Sequence, residues 1–181
     1  MRVYKTSKVV LRELDLRDTE LLYNFLLDNR DFLKPWEPLR TKNYFEIDNI
    51  KSLINSQITE SKSQRGFSLG IFVNNDSTLI GQVTISNIVY GPFLSCFLGY
   101  KLGEKFTGNG YMSEAIKLVI DICFNEYKLH RIEANVMPRN LKSSNVLKRL
   151  NFKNEGLSHN YLKINGKWED HNHYVILNNK I

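Results

Sequence analysis

The chain has 181 residues, 42% hydrophobic, 12% aromatic and 24% charged, an ordinary globular composition that predicts one domain over residues 1–181. No apolar run approaches the roughly 18 residues of a membrane helix, and the charged opening stretch lacks the apolar core of a secretion signal, so a soluble, cytoplasmic protein is expected. Cys96 and Cys123 lie far apart and outside any CxxC spacing, which supports reduced core thiols rather than a disulfide framework or a zinc site. A net charge of +6 favours a polyanionic partner, either a ribosome-like surface or a phosphate-rich cofactor.

Apolar and polar residues alternate over 8–14, predicting a first strand; Asp15 or Asp18 then offers an N-cap to a helix with Leu21, Leu22, Phe25 and Leu26 on one face. Pro35 and Pro38 around Trp36 predict an irregular loop over 29–40. Ile47, Ile50, Leu53, Ile54 and Ile58 recur at helical spacing over 46–63, a surface helix. An antiparallel meander follows: 67–73, a turn at 74–77, 79–89, a turn at Gly91-Pro92, and 95–102. A long amphipathic helix carries Met112, Ala115, Ile116, Val119, Ile120, Cys123, Phe124 and Tyr127 on its apolar side, and 131–137 returns as a strand. A helix over 140–150 and strands over 152–164 and 167–177, joined by an Asn165-Gly166 turn, close the chain. The order is that of an α+β protein with a mixed sheet covered by about four helices.

The segment from Gly99 to Ala115 joins the meander to the long helix. Gly108 and Gly110 permit close backbone approach, and the first turn of the helix points unpaired N–H groups at whatever sits there, an anion cradle; taken alone, the glycines serve equally to turn a strand into a helix. It is neither a Walker loop, since no Gly-Lys-Ser/Thr follows, nor a completed dinucleotide fingerprint.

These residues place the segment within a larger resemblance. Lys105-Phe106-Thr107-Gly108-Asn109-Gly110 resembles the Q/R-x-x-G-x-G/A loop of the GNAT superfamily of acyl-CoA-dependent N-acetyltransferases, with Lys105 at the first position. Asn140, Ser143, Val146, Leu147, Leu150 and Phe152 resemble its N-x-x-S-x-x-V-L-x-x-L-G-F segment, Asn151 replacing the glycine as the next most tolerant residue for a left-handed helix end. Phe32 to Pro38, Cys96 to Tyr100, His130 to Asn135, Met137-Pro138 and Tyr161 to His171 further resemble the RimJ/RimL-type ribosomal-protein N-terminal acetyltransferases, RimJ more than RimL. The resemblance implies a GNAT fold, mostly antiparallel and splayed in the middle between the 95–102 and 131–137 strands. Acetyl-CoA would lie in the opening as cosubstrate, without a metal, and the acceptor would be a protein N terminus, with neither nucleic-acid specificity nor membrane; the protein would be a monomer or homodimer.

The resemblance also implies site roles. The backbone of Tyr100, Lys101 and Leu102 would pair with pantetheine, and the cradle of Lys105, Thr107, Gly108, Asn109, Gly110, Tyr111, Met112 and Ser113 would hold the pyrophosphate. Thr107 and Ser113 serve equally as helix caps, and Asn140, which would meet pantetheine, serves equally as an N-cap. Ser143, one turn beyond Asn140, would donate a proton to the departing thiolate, and no tyrosine farther along that helix competes for the role.

Glu37 is the candidate general base, an exposed salt-bridging carboxylate being the alternative; Glu133 reads equally as a structural partner to a nearby Arg or Lys. Trp36 and Tyr161 are candidates to wall the acceptor groove, and His171 to contact substrate. His171 and His173 face one side of a strand, but no further ligands at metal spacing accompany them. Arg139, Lys142, Lys148 and Arg149 form a basic cluster that meets adenosine phosphates, a ribosomal surface or solvent. Two other readings remain open: transfer to a small amine such as a polyamine, amino sugar or antibiotic, and a non-catalytic CoA-binding or ribosome-assembly module.

Overall fold

The computed structural model describes residues 3–73 and 77–180, which form an eight-stranded mixed sheet with five α-helices. In chain order these are β1 (Val3–Lys5), β2 (Val10–Arg12), α1 (Thr19–Asp28), α2 (Arg30–Leu33), α3 (Ile47–Lys62), β3 (Phe67–Val73), β4 (Thr78–Val89) and β5 (Ser95–Leu102), then α4 (Tyr111–Asn125), β6 (Arg131–Val136), α5 (Leu141–Arg149), β7 (Lys153–Ile164) and β8 (Lys167–Leu177). The sheet order is β1-β2-β3-β4-β5-β6-β8-β7; β5 and β6 are parallel and the other described pairings antiparallel. No helix among the described residues is long and apolar enough to cross a membrane.

The sheet is covered on both faces. On one, Met112, Ala115, Ile116, Val119, Ile120 and Cys123 of α4 pack in a single cluster with Leu69, Ile71, Val83, Ile85, Cys96 and Leu98 of the meander. On the other, Leu22, Phe25, Leu26, Ile50 and Ile54 of α1 and α3 close over Leu14, Phe72 and Leu79. Every residue of β3 is therefore buried, and each large side chain so enclosed stabilises the fold by roughly 1.5–3 kcal/mol. Both cysteines lie in the first cluster as free thiols, and burial pushes the Cys123 thiol up.

Two expectations need correction. The strand predicted over 8–14 is only Val10–Arg12, because Asp15 and Asp18 turn the chain in a reciprocal capping box over a 3-10 turn; Asp18 gives its carboxylate to Arg12 at 2.7 and 2.8 Å and does not cap α1. An edge strand, β1, precedes it. The predicted loop over 29–40 begins instead as α2 and a 3-10 turn at Lys34–Trp36, where Pro35 is tolerated because the first turn of a helix needs no N–H from it. Residues 74–76 of the predicted 74–77 turn lie outside the described residues.

Two local signals act as read. Asn151 takes φ 66° behind α5, with Phe152 N–H donating to Leu147 O and Asn151 N–H to Lys148 O, a Schellman end. Asn165 and Gly166, at φ 43° and 85°, make the two-residue turn between β7 and β8.

Candidate active site

The parting of two central strands creates the site. β5 pairs with β4 as far as Leu102, but with β6 only at Ser95↔Arg131, Cys96↔Ile132 and Phe97↔Glu133. β6 continues instead along β8 to Val136. From Leu98 to Leu102 the side of β5 that faced β6 has no strand partner among the described residues, so its backbone N–H and C=O groups offer an open edge to an extended ligand. Tyr100, Lys101 and Leu102 lie on that edge, as expected.

Beyond it, the 3-10 turn Glu104–Phe106 leads into Gly108 and Gly110, both left-handed at φ 84° and 80°. Gly110 is the N-cap of α4, no side chain among the described residues caps that end, and the first intrahelical N–H bond runs from Glu114 to Gly110 O. The N–H groups of the first turn therefore point outward with their partial positive charge. Thr107 spends its hydroxyl on Glu104 O and Asn109 its amide on Phe106 and Thr107 carbonyls, so both brace the loop. Met112 is buried in the core and Tyr111 packs against it, which leaves their backbone to face a ligand; Lys105 is exposed.

Two cradle residues were missed because they are remote in sequence. Lys8, presented by the β1–β2 turn that Thr6 Oγ1 ties to Lys8 and Val9 N–H, brings its Nζ to 3.4 Å from where a Cβ on Gly110 would stand. Asn29, at the end of α1, accepts the Glu104 N–H at 2.9 Å and anchors itself on Phe25 O.

α5 brings the catalytic candidates. Asn140 caps it, its Oδ1 accepting the Ser143 N–H at 3.2 Å. The Ser143 hydroxyl lies 2.5 Å from the Tyr100 hydroxyl, so a bond between α5 and β5 crosses the opening. Burial pushes the Tyr100 phenol well above its ordinary range, outweighing the Ser143 contact, so it stays protonated.

The other face of the splay collects the remaining candidates. Glu37 receives the Lys101 ammonium at 2.7 Å and Arg40 at 3.6 Å, while its backbone carbonyl takes the Asn165 N–H and ties the loop to the β7–β8 turn. Arg139, expected on a basic patch, instead sits on this side: it stacks over Trp36 at 5.0 Å, donates to Pro35 O and pairs with Glu169 at 3.0 Å. Tyr161 lies against both His171 and His173, at 5.7 and 4.8 Å between rings. His171 is buried, which lowers its basicity, and its Nδ1 faces Glu169 O. Trp36, Glu37, Tyr161 and His171 thus meet on one side and Tyr100 and Ser143 on the other.

His173 was read only as a partner of His171. Glu133 Oε1 lies 2.7 Å from its Nδ1 and Ser158 Oγ 2.8 Å from its Nε2. Burial works to raise the Glu133 carboxyl, but hydrogen bonds from His173 and Arg131 prevail and hold it below the usual carboxylate range.

Residues 8–153 match the acetyltransferase (GNAT) domain, and the chain belongs to that family. It is 38% identical to the probable N-acetyltransferase YjcK of Bacillus subtilis, over 96% of each chain. It is 37% identical to the ribosomal protein uS5-alanine N-acetyltransferase of Escherichia coli, covering 92% of this chain and 86% of that one. Among solved structures, ribosomal-protein-S5-alanine acetyltransferase from Vibrio fischeri superposes with a TM-score of 0.94 at 33% identity, over 99% of this chain and 98% of that one. RimJ of Mycobacterium smegmatis, in complex with CoA-disulfide, does so with a TM-score of 0.90 at 32% identity, over 96% and 83%.

Proposed function

We propose that the protein transfers an acetyl group from acetyl-CoA directly to the N-terminal α-amine of a ribosomal protein. The parting of β5 and β6 beyond Phe97↔Glu133, beside the uncapped N-terminus of α4, carries this reading. The open edge at Leu98 to Leu102 fits the amides of a pantetheine arm, and the α4 N–H groups with Lys8 fit a pyrophosphate. When bound, acetyl-CoA supplies an activated acetyl thioester.

On the thioester side, Ser143 gives its proton to the departing thiolate and regains one from the nitrogen that has taken up the acetyl group, while the Tyr100 phenol, which stays protonated, holds the serine hydroxyl in place. The acceptor enters from the other face, between the Trp36–Glu37 loop and the β7–β8 hairpin, with Trp36 and Tyr161 as walls. Glu37 stands there as a base, or as the anchor that its pairs with Lys101 and Arg40 make of it.

A single amine suits this face better than a polycation. Glu37, Glu133 and Glu169 are each neutralised by a cation of the protein, by Lys101, Arg131 and Arg139 respectively. A relative 28% identical is the spermidine N(1)-acetyltransferase of Vibrio cholerae, which makes the small-amine reading the one to exclude. Thiol release from acetyl-CoA, followed with Ala-, Ser- and Met-starting peptides beside spermidine, tests the proposal: peptide turnover supports it, and turnover with spermidine alone overturns it.

A further inference from the structure

The acceptor face holds a chain of polar groups for which cofactor binding has no use. Arg131 and Glu133 of β6, His173 of β8 and Ser158 of β7 link in series: Arg131 to Glu133 at 3.0 Å, Glu133 to His173 Nδ1 at 2.7 Å, His173 Nε2 to Ser158 Oγ at 2.8 Å. With Nδ1 facing an ionised carboxylate, the ring proton sits on Nδ1, and Nε2 presents its lone pair to the Ser158 hydroxyl. Ser158 is partly open to solvent. Such an ordering accepts a proton at the serine and delivers it to the imidazole, where Glu133 stabilises the resulting charge.

The chain ends where the strands part. Glu133 is the last β6 residue paired with β5, and Asn135 is the next one on the same face, in register with His173. The Asn135 amide nitrogen donates to the Tyr161 hydroxyl at 3.4 Å, while its Oδ1 is buried without a hydrogen-bond partner among the described residues. A buried carbonyl oxygen in this state costs about 1–3 kcal/mol, a cost that a bound N–H donor removes. An orphaned acceptor directly across the β6–β8 pairing from His173 is the complement of an ammonium group.

We propose that the acceptor amine docks on Asn135 Oδ1 and that His173, held by Glu133, takes its proton through Ser158. This rests on the acetyl-transfer reading. An α-ammonium has a pKa of roughly 7.7–8.0, so at neutral pH most acceptors carry one proton too many to attack a thioester. One N–H bond breaks and its proton passes to Ser158 Oγ as the serine O–H proton passes to His173 Nε2. The nitrogen keeps the electron pair. Glu37 is then an anchor for the Trp36 loop and Lys101, and the base lies on the opposite wall.

The test is steady-state transfer to an Ala-starting peptide by the full chain, with acetyl-CoA affinity measured separately by calorimetry. His173→Gln and Ser158→Ala should each lower kcat/KM for the peptide by about 100-fold, the scale of general base catalysis, with CoA affinity unchanged. Asn135→Ala should raise the peptide KM more than it lowers kcat. Added imidazole should restore His173→Ala in proportion to its concentration. The groups facing His173 are Glu133 and Arg131 from β6, Tyr161 and Glu155 from β7, and His171 on its own strand; none is altered in that variant. Ser158→Ala carries the test if a His173 variant fails to bind CoA. Activity of His173→Gln and Ser158→Ala within about threefold of the parent, or a loss in His173→Ala that imidazole leaves untouched, overturns the assignment. A parent enzyme silent with every amine overturns the acetyl-transfer reading instead.

Discussion

The Tyr100 hydroxyl of β5 lies 2.5 Å from the Ser143 hydroxyl of α5, a bond between two elements that the splay otherwise holds apart. It fixes the hydroxyl of a serine in the first turn of α5, whose N–H is already held by the Asn140 cap. Ser143→Ala should lower kcat by about 10- to 100-fold at nearly constant acetyl-CoA affinity, since the lost contact acts only as the thiolate leaves. Tyr100→Phe, which removes the contact that holds Ser143 but keeps the donor, should lose less. A loss confined to the KM for acetyl-CoA would assign the pair to binding.

Lys8 is a cation at the cradle that no local motif announces. Lys8→Ala should raise the dissociation constant for CoA about three- to tenfold, and the difference from the parent should shrink as salt rises, because the contact is an exposed electrostatic one. Calorimetry at two salt concentrations decides it; equal affinities at low salt would contradict the placement.

Asn151 offers a test of local backbone strain. At φ 66° any residue with a Cβ carbon is disfavoured, Asn less than most because its short polar side chain bonds locally, and Gly is best. Asn151→Ala should destabilise the fold by about 1 kcal/mol and Asn151→Gly should be neutral or stabilising, both read as shifts in urea midpoint.

The buried pair of Arg12 and Asp18 should govern acid stability. Burial works to raise the Asp18 carboxyl, but hydrogen bonds from Arg12 and the Asp15 N–H outweigh it and hold it below its ordinary value. A carboxyl lowered on folding contributes stability that is full above its unfolded pKa, about 3.9, and drains as pH falls through the lower folded value. The parent should therefore lose stability steeply below about pH 4, and Asp18→Asn should flatten that slope. Arg12→Ala, which strands a buried charge, should cost about 3–5 kcal/mol at neutral pH.

The strands 67–73, 95–102 and 167–177 were legible to the residue because continuous or alternating apolar patterns end there at polar turns. β1 was not: three residues with exposed or half-exposed side chains carry no periodicity, and only their pairing with β2 makes them a strand. The cradle was legible because its glycines and the helix behind them are contiguous. Lys8, Asn29, the Tyr100–Ser143 bond and the Glu133–His173–Ser158 chain were hidden because each depends on strand register or on elements distant in sequence. The tie of Glu37 to Lys101 likewise belongs to tertiary structure.

The most direct measurement is the intact mass of an Ala-starting peptide with one internal lysine after incubation with enzyme and acetyl-CoA, beside the same peptide formylated at its N terminus. The account predicts a single added acetyl group on the free peptide, located on the α-nitrogen, and none on the formylated one. Acetylation of the formylated peptide, or of the lysine in both, would contradict transfer to an N-terminal amine.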